Sequence, residues 1–189
     1  MNKEQTITGV IRGTGACVPE RILDNKEIAG FVDTSDEWIR ERTGVRRRRI
    51  AEKETTVSMA CEAGRQAVEE AGILPGEIDM ILVATGSPDQ IFPCTACQVQ
   101  EALGADGAVG FDLNAACSGF LFAYNTAQAY IASGIYRTVL VIGSESISRL
   151  VDWTDRGTCI LFGDGAGAVL LQAAEGRTYR PIAHSDGSG

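Results

Sequence analysis

Met80-Ile81-Leu82-Val83-Ala84-Thr85, Val109 to Leu113 and Thr138-Val139-Leu140-Val141-Ile142 are three strand-like runs that alternate with helix-patterned segments. The first is apolar throughout, as in a strand covered on both faces. Strands of that kind, joined through helices, restrict the chain to a layered α/β sheet with parallel pairings. From Thr56 to Gly72, Ala60, Ala63, Ala67, Val68 and Ala71 form one helical stripe, with Gly72 as the stop. A second helix is expected near Thr95 to Leu103. A third is expected from about Cys117 to Ser133. Residues 113–136 carry no charge over 24 positions, the length of a membrane span. Asn114, Ser118, Gly119, Asn125, Thr126, Gln128 and Ser133 interrupt that stretch, which therefore reads as a helix buried on all sides in a globular core.

The two ends are patterned differently. Ile7 to Val18 is glycine-punctuated and reads as a strand leading into a turn. Asp24 with Glu27, and Thr34 with Glu37, each place a capping oxygen three residues before a glutamate, predicting short helices from about Asn25 and Ser35. Trp38 and Arg42 then share one face of the second. Cys159 to Phe162 and Ala166 to Leu171 flank Gly163-Asp164-Gly165 and predict an antiparallel hairpin. A further strand-like stretch precedes the polar end, Ala183 to Gly189. With 189 residues, no internal repeat and no linker, one structural unit spanning 1–189 is expected.

Composition narrows the function. The formal charge, 17 − 25 = −8, argues against a surface that neutralises nucleic-acid phosphates. Met1 to Thr6 has no leader-like apolar core, so a cytoplasmic protein with no membrane association is expected, and the six cysteines read as reduced thiols.

Among these cysteines Cys117 is set apart. It follows a strand, opens the uncharged helix, and lies among Ala115, Ala116, Ser118 and Gly119. Unpaired amides and the helix dipole favour a thiolate there, and small neighbours admit a substrate, so the residue reads as a nucleophile or else as a buried cap. Cys94-Thr95-Ala96-Cys97 has redox-motif spacing but no second pair to complete a zinc site, and no metal site is expected. Gly163-Asp164-Gly165-Ala166-Gly167 lacks a Walker lysine and precedes a strand, so close backbone packing near the site is its better reading. Arg46 to Arg49 reads as a solvated basic face able to attract phosphates or an acidic protein.

Asp33-Thr34-Ser35-Asp36-Glu37-Trp38-Ile39, Arg42-Thr43-Gly44-Val45-Arg46, Asn114 to Phe120, Asp155-Arg156-Gly157-Thr158 and Phe162 to Ala168 together resemble the β-ketoacyl-acyl carrier protein synthase III family. The resemblance runs from about Ile7 to the end, with the motifs in family order. It implies the N-terminal half of a thiolase-like fold: a mixed, mostly parallel sheet with a buried central helix, in a truncated chain lacking the C-terminal half. It also implies an acyltransferase that condenses an acyl-CoA primer, often acetyl-CoA, with malonyl-acyl carrier protein to start type II fatty acid synthesis. No cofactor is implied, since acyl-CoA is a substrate. Cys117 matches the family's acyl-accepting nucleophile. Trp38 matches an aromatic residue packed on the CoA adenine, with Arg156 on its other side and Thr34 and Arg42 near the nucleotide. Phe92 matches a residue crossing a homodimer interface into the partner's acyl pocket, and Phe162 one lining the cavity. The catalytic His and Asn belong to the family's second half; His184, the only histidine, matches neither. The alternatives are a polyketide or signal-molecule synthase using another primer, or a non-catalytic dimerising half.

Overall fold

The computed structural model describes residues 6–188. Met1 to Gln5, on which the absence of a leader was read, lie outside the described residues, as does Gly189. Seven strands are described: β1 (Thr6–Cys17), β2 (Ile22–Asp24), β3 (Arg47–Arg49), β4 (Met80–Ala84), β5 (Val109–Leu113), β6 (Thr138–Ser146) and β7 (Asp164–Gly176). The helices are α1 (Asn25–Ile28), α2 (Asp36–Thr43), α3 (Thr56–Ala71), α4 (Thr95–Leu103), α5 (Gly119–Ala132) and α6 (Arg156–Cys159).

Five strands form one sheet in the order β1-β7-β6-β4-β5, and β2 pairs with β3. The sheet is mixed, as expected. Its pairings divide evenly, however: β4 is parallel to β5 and β6, while β7 is antiparallel to β6 and β1. Alternation along β4 and β6 decides the layers. Ile81, Val83, Leu140 and Ile142 pack on one face with Ala60, Ala63 and Ala67 of α3 and Val99 of α4. Met80, Leu82, Val139 and Val141 pack on the other with Ala123, Ala127 and Ile131 of α5. Burial of a side chain of this size contributes about 1.5–3 kcal/mol, so these two faces carry most of the fold's cohesion. Gly44, Gly72 and Gly104 end α2, α3 and α4 in the left-handed conformation (φ 73, 67 and 71°) that side chains resist.

Several expectations are corrected. Helix α5 is buried on one side only: Gly119, Ala123, Ala127, Gln128 and Ile131 face the sheet, while Leu121 is 63% exposed. Lack of charge marked an apolar environment without showing how much of it this chain supplies. The hairpin expected around Gly163 is absent. Asp155 caps Gly157 N and bonds Thr158 Oγ1, winding 156–159 into a helical turn, and Cys159 and Ile160 are buried beside Leu23, Ile28 and Ile39. The antiparallel partners of β7 are β6 and β1. The strand-like stretch before Ala183 has no regular structure in residues 177–188. Among the described residues, no helix is long and apolar enough to cross a membrane.

Candidate active site

Strand β4 adjoins both β5 and β6, so the chain passes to one side through α4 and then crosses β4 through α5. Such a reversal leaves a crevice beyond the carboxyl ends of the strands, where α/β sheets bind ligands. The segment after β4 meets the carboxyl-terminal parts of β5 and β6 there. Thr85 N donates to Leu113 O (3.1 Å), and Gly86 N donates to Glu145 Oε1 (2.8 Å). Cys117 leaves the end of β5 in a 3-10 turn, Ala116–Ser118, immediately before α5. It therefore precedes the helix it was expected to open. Ala116 holds a left-handed backbone (φ 46°) that a non-glycine residue adopts only under constraint. Asn114 Oδ1 accepts from Ala116 N at 3.2 Å, and a Cβ on Gly119 would lie 3.2 Å from Ala84 Cβ. Constraint from both sides fixes the turn and presents the sulfur outward. Cys117 is the one exposed cysteine of the six. Burial pushes the thiols of Cys17, Cys61 and Cys159 above their ordinary value.

A second cluster forms on α2, α6 and the segment between them in space. The Arg42 guanidinium lies 4.2 Å from the Trp38 ring centroid and that of Arg156 4.5 Å from it. Arg42 arrives by its i+4 spacing on α2. Arg156 arrives because Asp155 caps α6, and its Nη1 donates to Asp33 O at 3.1 Å. Two cations on one indole repel each other, which an anion placed between them would relieve. Thr34 was read as a helix cap, yet Ser35 is the cap, accepting from Trp38 N. The Thr34 hydroxyl is instead buried without a hydrogen-bond partner, the kind of orphan that a bound ligand accounts for. Trp38, Arg42 and Arg156, which the resemblance grouped with Thr34, are in contact, and the capping role expected of Thr34 belongs to Ser35.

The remaining candidates are dispersed. Phe92 is 86% exposed on the loop before α4, beside Ile91, and Phe162 is 37% exposed just ahead of β7. Arg48 departs from the expected solvated face: it is buried, donates to Asn25 Oδ1 (2.8 Å) and Ile160 O, and burial lowers its affinity for the proton. Its inward turn follows from alternation along β3, which the run of four arginines conceals. Asp164 of the glycine motif is a feature that sequence reading missed. Its carboxylate accepts from Ala51 N (2.7 Å), Ser148 N (2.9 Å) and Ser148 Oγ (2.6 Å), anchoring both ends of the segment that carries Arg156. The close packing expected of this motif is present: a Cβ on Gly163 would meet Arg49 O at 3.0 Å. Among the described residues no metal-holding group of three or more His, Cys, Asp or Glu occurs.

Residues 111–187 match the family model described as 3-Oxoacyl-[acyl-carrier-protein (ACP)] synthase III. The chain is 52% identical over 188 residues to a β-ketoacyl-[acyl-carrier-protein] synthase III of Erythrobacter litoralis, covering 96% of this chain and 59% of that relative. Among solved structures, the 3-oxoacyl-[acyl-carrier-protein] synthase III of Aquifex aeolicus superposes with a TM-score of 0.87 at 50% identity, covering 89% of this chain and 55% of that one. The priming β-ketosynthase of the R1128 polyketide pathway gives a TM-score of 0.87 at 40% identity, covering 92% and 52%. The chain thus spans a little over half the length of the relatives it matches.

Proposed function

Because the chain belongs to the 3-oxoacyl-[acyl-carrier-protein] synthase III family, we propose that it is the nucleotide-binding, acyl-accepting N-terminal half, residues 1–189, of a condensing enzyme that primes fatty acid synthesis. The observation that carries this reading is the pairing of an outward-facing sulfur at the carboxyl end of the sheet with an indole flanked by two guanidinium groups and an orphaned hydroxyl. The substrates are an acyl-CoA, commonly acetyl-CoA, and malonyl-acyl carrier protein. The adenine stacks on Trp38, Arg156 moves from its 4.5 Å contact with that ring to the other face of the base, Arg42 meets a phosphate, and Thr34 finds its missing partner on the nucleotide.

In the first step the Cys117 thiolate attacks the thioester carbonyl. The carbon–sulfur bond to CoA then breaks, and CoA leaves as a thiolate that takes a proton. In the second step the malonyl thioester loses CO₂, the resulting carbanion attacks the acyl carbonyl carbon of the Cys117 thioester, that carbon–sulfur bond breaks, and Cys117 leaves as a thiolate while the 3-ketoacyl product stays on the carrier protein. The charge on the malonyl thioester oxygen requires hydrogen-bond donors, the His and Asn supplied by the family's second half. Phe162 lines the acyl cavity. Phe92, with its exposed apolar neighbour Ile91, crosses a homodimer interface into the partner's pocket. The protein works in the cytoplasm, without a cofactor, membrane or nucleic acid.

The second reading, supported by the R1128 priming ketosynthase, is a polyketide synthase component that uses the same cysteine with another primer. Mass spectrometry of the chain with acetyl-CoA, beside Cys117→Ala, tests the first step, and release of labelled CO₂ from malonyl-acyl carrier protein tests the second. Cysteine-dependent acylation without enzymatic CO₂ release is expected of the 189-residue chain. Loss of each such donor typically costs ~10²–10³-fold. Acylation that persists in Cys117→Ala would overturn the assignment.

A further inference from the structure

On the nucleotide-binding reading of the Trp38 cluster, we propose that Arg48 and Asn25 are its positioning residues, a buried pair that holds α6, and with it Arg156, opposite the face of α2 that carries Trp38 and Arg42. Pairing of β2 with β3 brings the two together, since Leu23 stands opposite Arg48 and Asn25 directly follows β2. Alternation along β3 turns Arg48 inward between the exposed Arg47 and Arg49. Arg48 and Asn25 are 5% and 1% exposed. Arg48 Nε (3.0 Å) and Nη2 donate to the carbonyl of Ile160, the cap at the end of α6, and Nη1 donates to Asn25 Oδ1 (2.8 Å). Asn25 Nδ2 in turn donates to Asp36 Oδ1 (2.8 Å) in the first turn of α2 and to Val45 O (2.9 Å) just past its Gly44 cap. One chain of hydrogen bonds therefore runs from the end of α6, through two buried side chains, to both ends of α2.

Among the described residues no carboxylate forms an ion pair with Arg48. A guanidinium buried without an acidic partner is an unfavourable core residue, and an apolar side chain would pack α6 on α2 without that penalty. What the guanidinium adds is direction. Contacts of Cys159 and Ile160 with Ile28 and Ile39 press the two helices together, but hydrophobic burial is non-directional and leaves them free to slide. Planar donors aimed at Ile160 O and Asn25 Oδ1 at the same time fix one register, and a lysine ammonium, a point charge without the fork, would not reproduce it. Arg156 begins the helix whose end is held in this way. Its own bond, from Nη1 to Asp33 O, lies exposed to water, so the buried pair is the firmer of the two ties between α6 and the α2 region.

The test follows acylation of Cys117 in the 189-residue chain by mass spectrometry, with acetyl-CoA and with S-acetylpantetheine, which shares the thioester and its arm but has no nucleotide. Arg48→Met removes the fork. Asn25→Asp keeps an acceptor for Arg48 at nearly constant volume and loses both donors to α2. Each variant is expected to raise the KM for acetyl-CoA about 5–30-fold, the equivalent of losing one stacking partner of about 1–2 kcal/mol at 1.4 kcal/mol per tenfold, while the KM for S-acetylpantetheine stays with that of the unsubstituted chain. A ligand-free readout accompanies it. With Trp153→Phe, Trp38 is the one tryptophan left of two, and acrylamide quenching of its fluorescence is expected to rise in both variants as the guanidinium leaves the ring. Unchanged quenching in Asn25→Asp, with circular dichroism intact, would overturn the proposal. So would a loss shared equally by the two donors, which marks general damage to the fold. One KM for both donors in the unsubstituted chain would instead overturn the nucleotide-binding reading, and the quenching comparison then decides the positioning by itself.

Discussion

Substituting Gly15 by alanine should be among the most damaging single-methyl changes this chain can suffer. The register of β1 against β7 shifts between Ile11 and Gly13, so Gly9 faces α5 while Gly13 and Gly15 face α3. A Cβ on Gly15 would stand 2.0 Å from Ala63 O and 2.8 Å from Gln66 Cβ, and one on Gly13 would stand 2.0 Å from Ala67 O. Real Cβ contacts do not fall below 3.0 Å, so helix and strand must separate by at least 1.0 Å. Neither yields easily. Strand β1 is bonded along its length to β7, and Gln66 Oε1 and Glu70 Oε2 of α3 accept from Ala16 N (3.1 Å) and Thr14 N (2.5 Å). A radial gap of ~0.5–1 Å forfeits a quarter to a half of the dispersion well for every atom along it. Here the gap would run under Ala60, Ala63 and Ala67, all fully buried. Overpacking ordinarily costs ~1–3 kcal/mol. With backbone as the obstacle, a loss of about 3 kcal/mol or more is expected for Gly15→Ala. At a urea slope of about 2 kcal/mol per molar, the unfolding midpoint falls by roughly 1.5 M. Gly76→Ala, where a Cβ meets nothing within 4 Å, serves as the control and should leave the midpoint unmoved. A Gly15→Ala midpoint within a few tenths of a molar of the unsubstituted protein, at unchanged slope, would refute the close-approach argument.

Low-dose iodoacetamide at pH near 6.5 should label Cys117 first, because it is the exposed cysteine and burial raises the thiols of Cys17, Cys61 and Cys159; preferential labelling of Cys94 or Cys97 in the reduced protein would contradict this. Trp38→Ala and Arg156→Ala should each weaken CoA binding by about 1–2 kcal/mol in the full-length protein, as read by calorimetry. Equal affinity in both variants, with folding intact, would leave Trp38 as a packing residue. Hydrogen bonds from the backbone N–H groups of Glu54, Glu52, Glu20 and Lys53 hold the Glu54 carboxyl at about 2, against an ordinary 4.5. Its folded value lies below its unfolded one, so its contribution is complete above about pH 4.5 and fades as pH falls towards 2. Glu54→Gln should therefore flatten the decline of Tm over that interval, and an unchanged slope would argue against these bonds.

The sequence made the sheet legible because its strands are apolar enough to require cover on two faces, and because alanine spacing along α3 carries a helical period. What stayed hidden depends on contacts distant in the chain. Gln128 looked like a polar interruption of an apolar helix. In the fold its side chain pairs with β1, accepting from Gly9 N and donating to Gly9 O at 2.8 Å each. Nothing local announces that match. The run Cys159 to Phe162 was ambiguous for a different reason: a four-residue apolar stretch suits a strand or a buried turn equally well, and only its docking against Leu23, Ile28 and Ile39 decides. That Trp38 and Arg42 share one helix face was readable from spacing, while their candidacy for a site came through the family resemblance. Arg156, which is 118 positions from Trp38 (156 − 38), came only through the family resemblance.

The two parts of the candidate site rest on supports of different kinds, and that division bears on how each fails. Cys117 is held by the sheet itself. Its strained neighbour Ala116 costs about 1–3 kcal/mol, which persists because the end of β5, the hydrogen bond from Ala116 N to Asn114 Oδ1 and the close approach of Gly119 to Ala84 leave the turn no other path. Damage to the core therefore reaches the sulfur only by loosening the sheet. The Trp38 cluster instead hangs on a small satellite core, Leu23, Ile28, Ile39, Cys159 and Ile160, which the buried Arg48 ties to β3 and Asn25 and which Asp164 joins to the sheet. Removing the Asp164 carboxylate would leave two backbone donors, at Ala51 and Ser148, unpaired at the foot of the segment that carries Arg156. The guanidinium would then lose its position over the indole while β4, β5 and α5, and with them the sulfur, stayed in place. The geometry thus gives the Trp38 cluster and the Cys117 turn separate supports, and Asp164, the first residue of β7, belongs to the support of the Trp38 cluster.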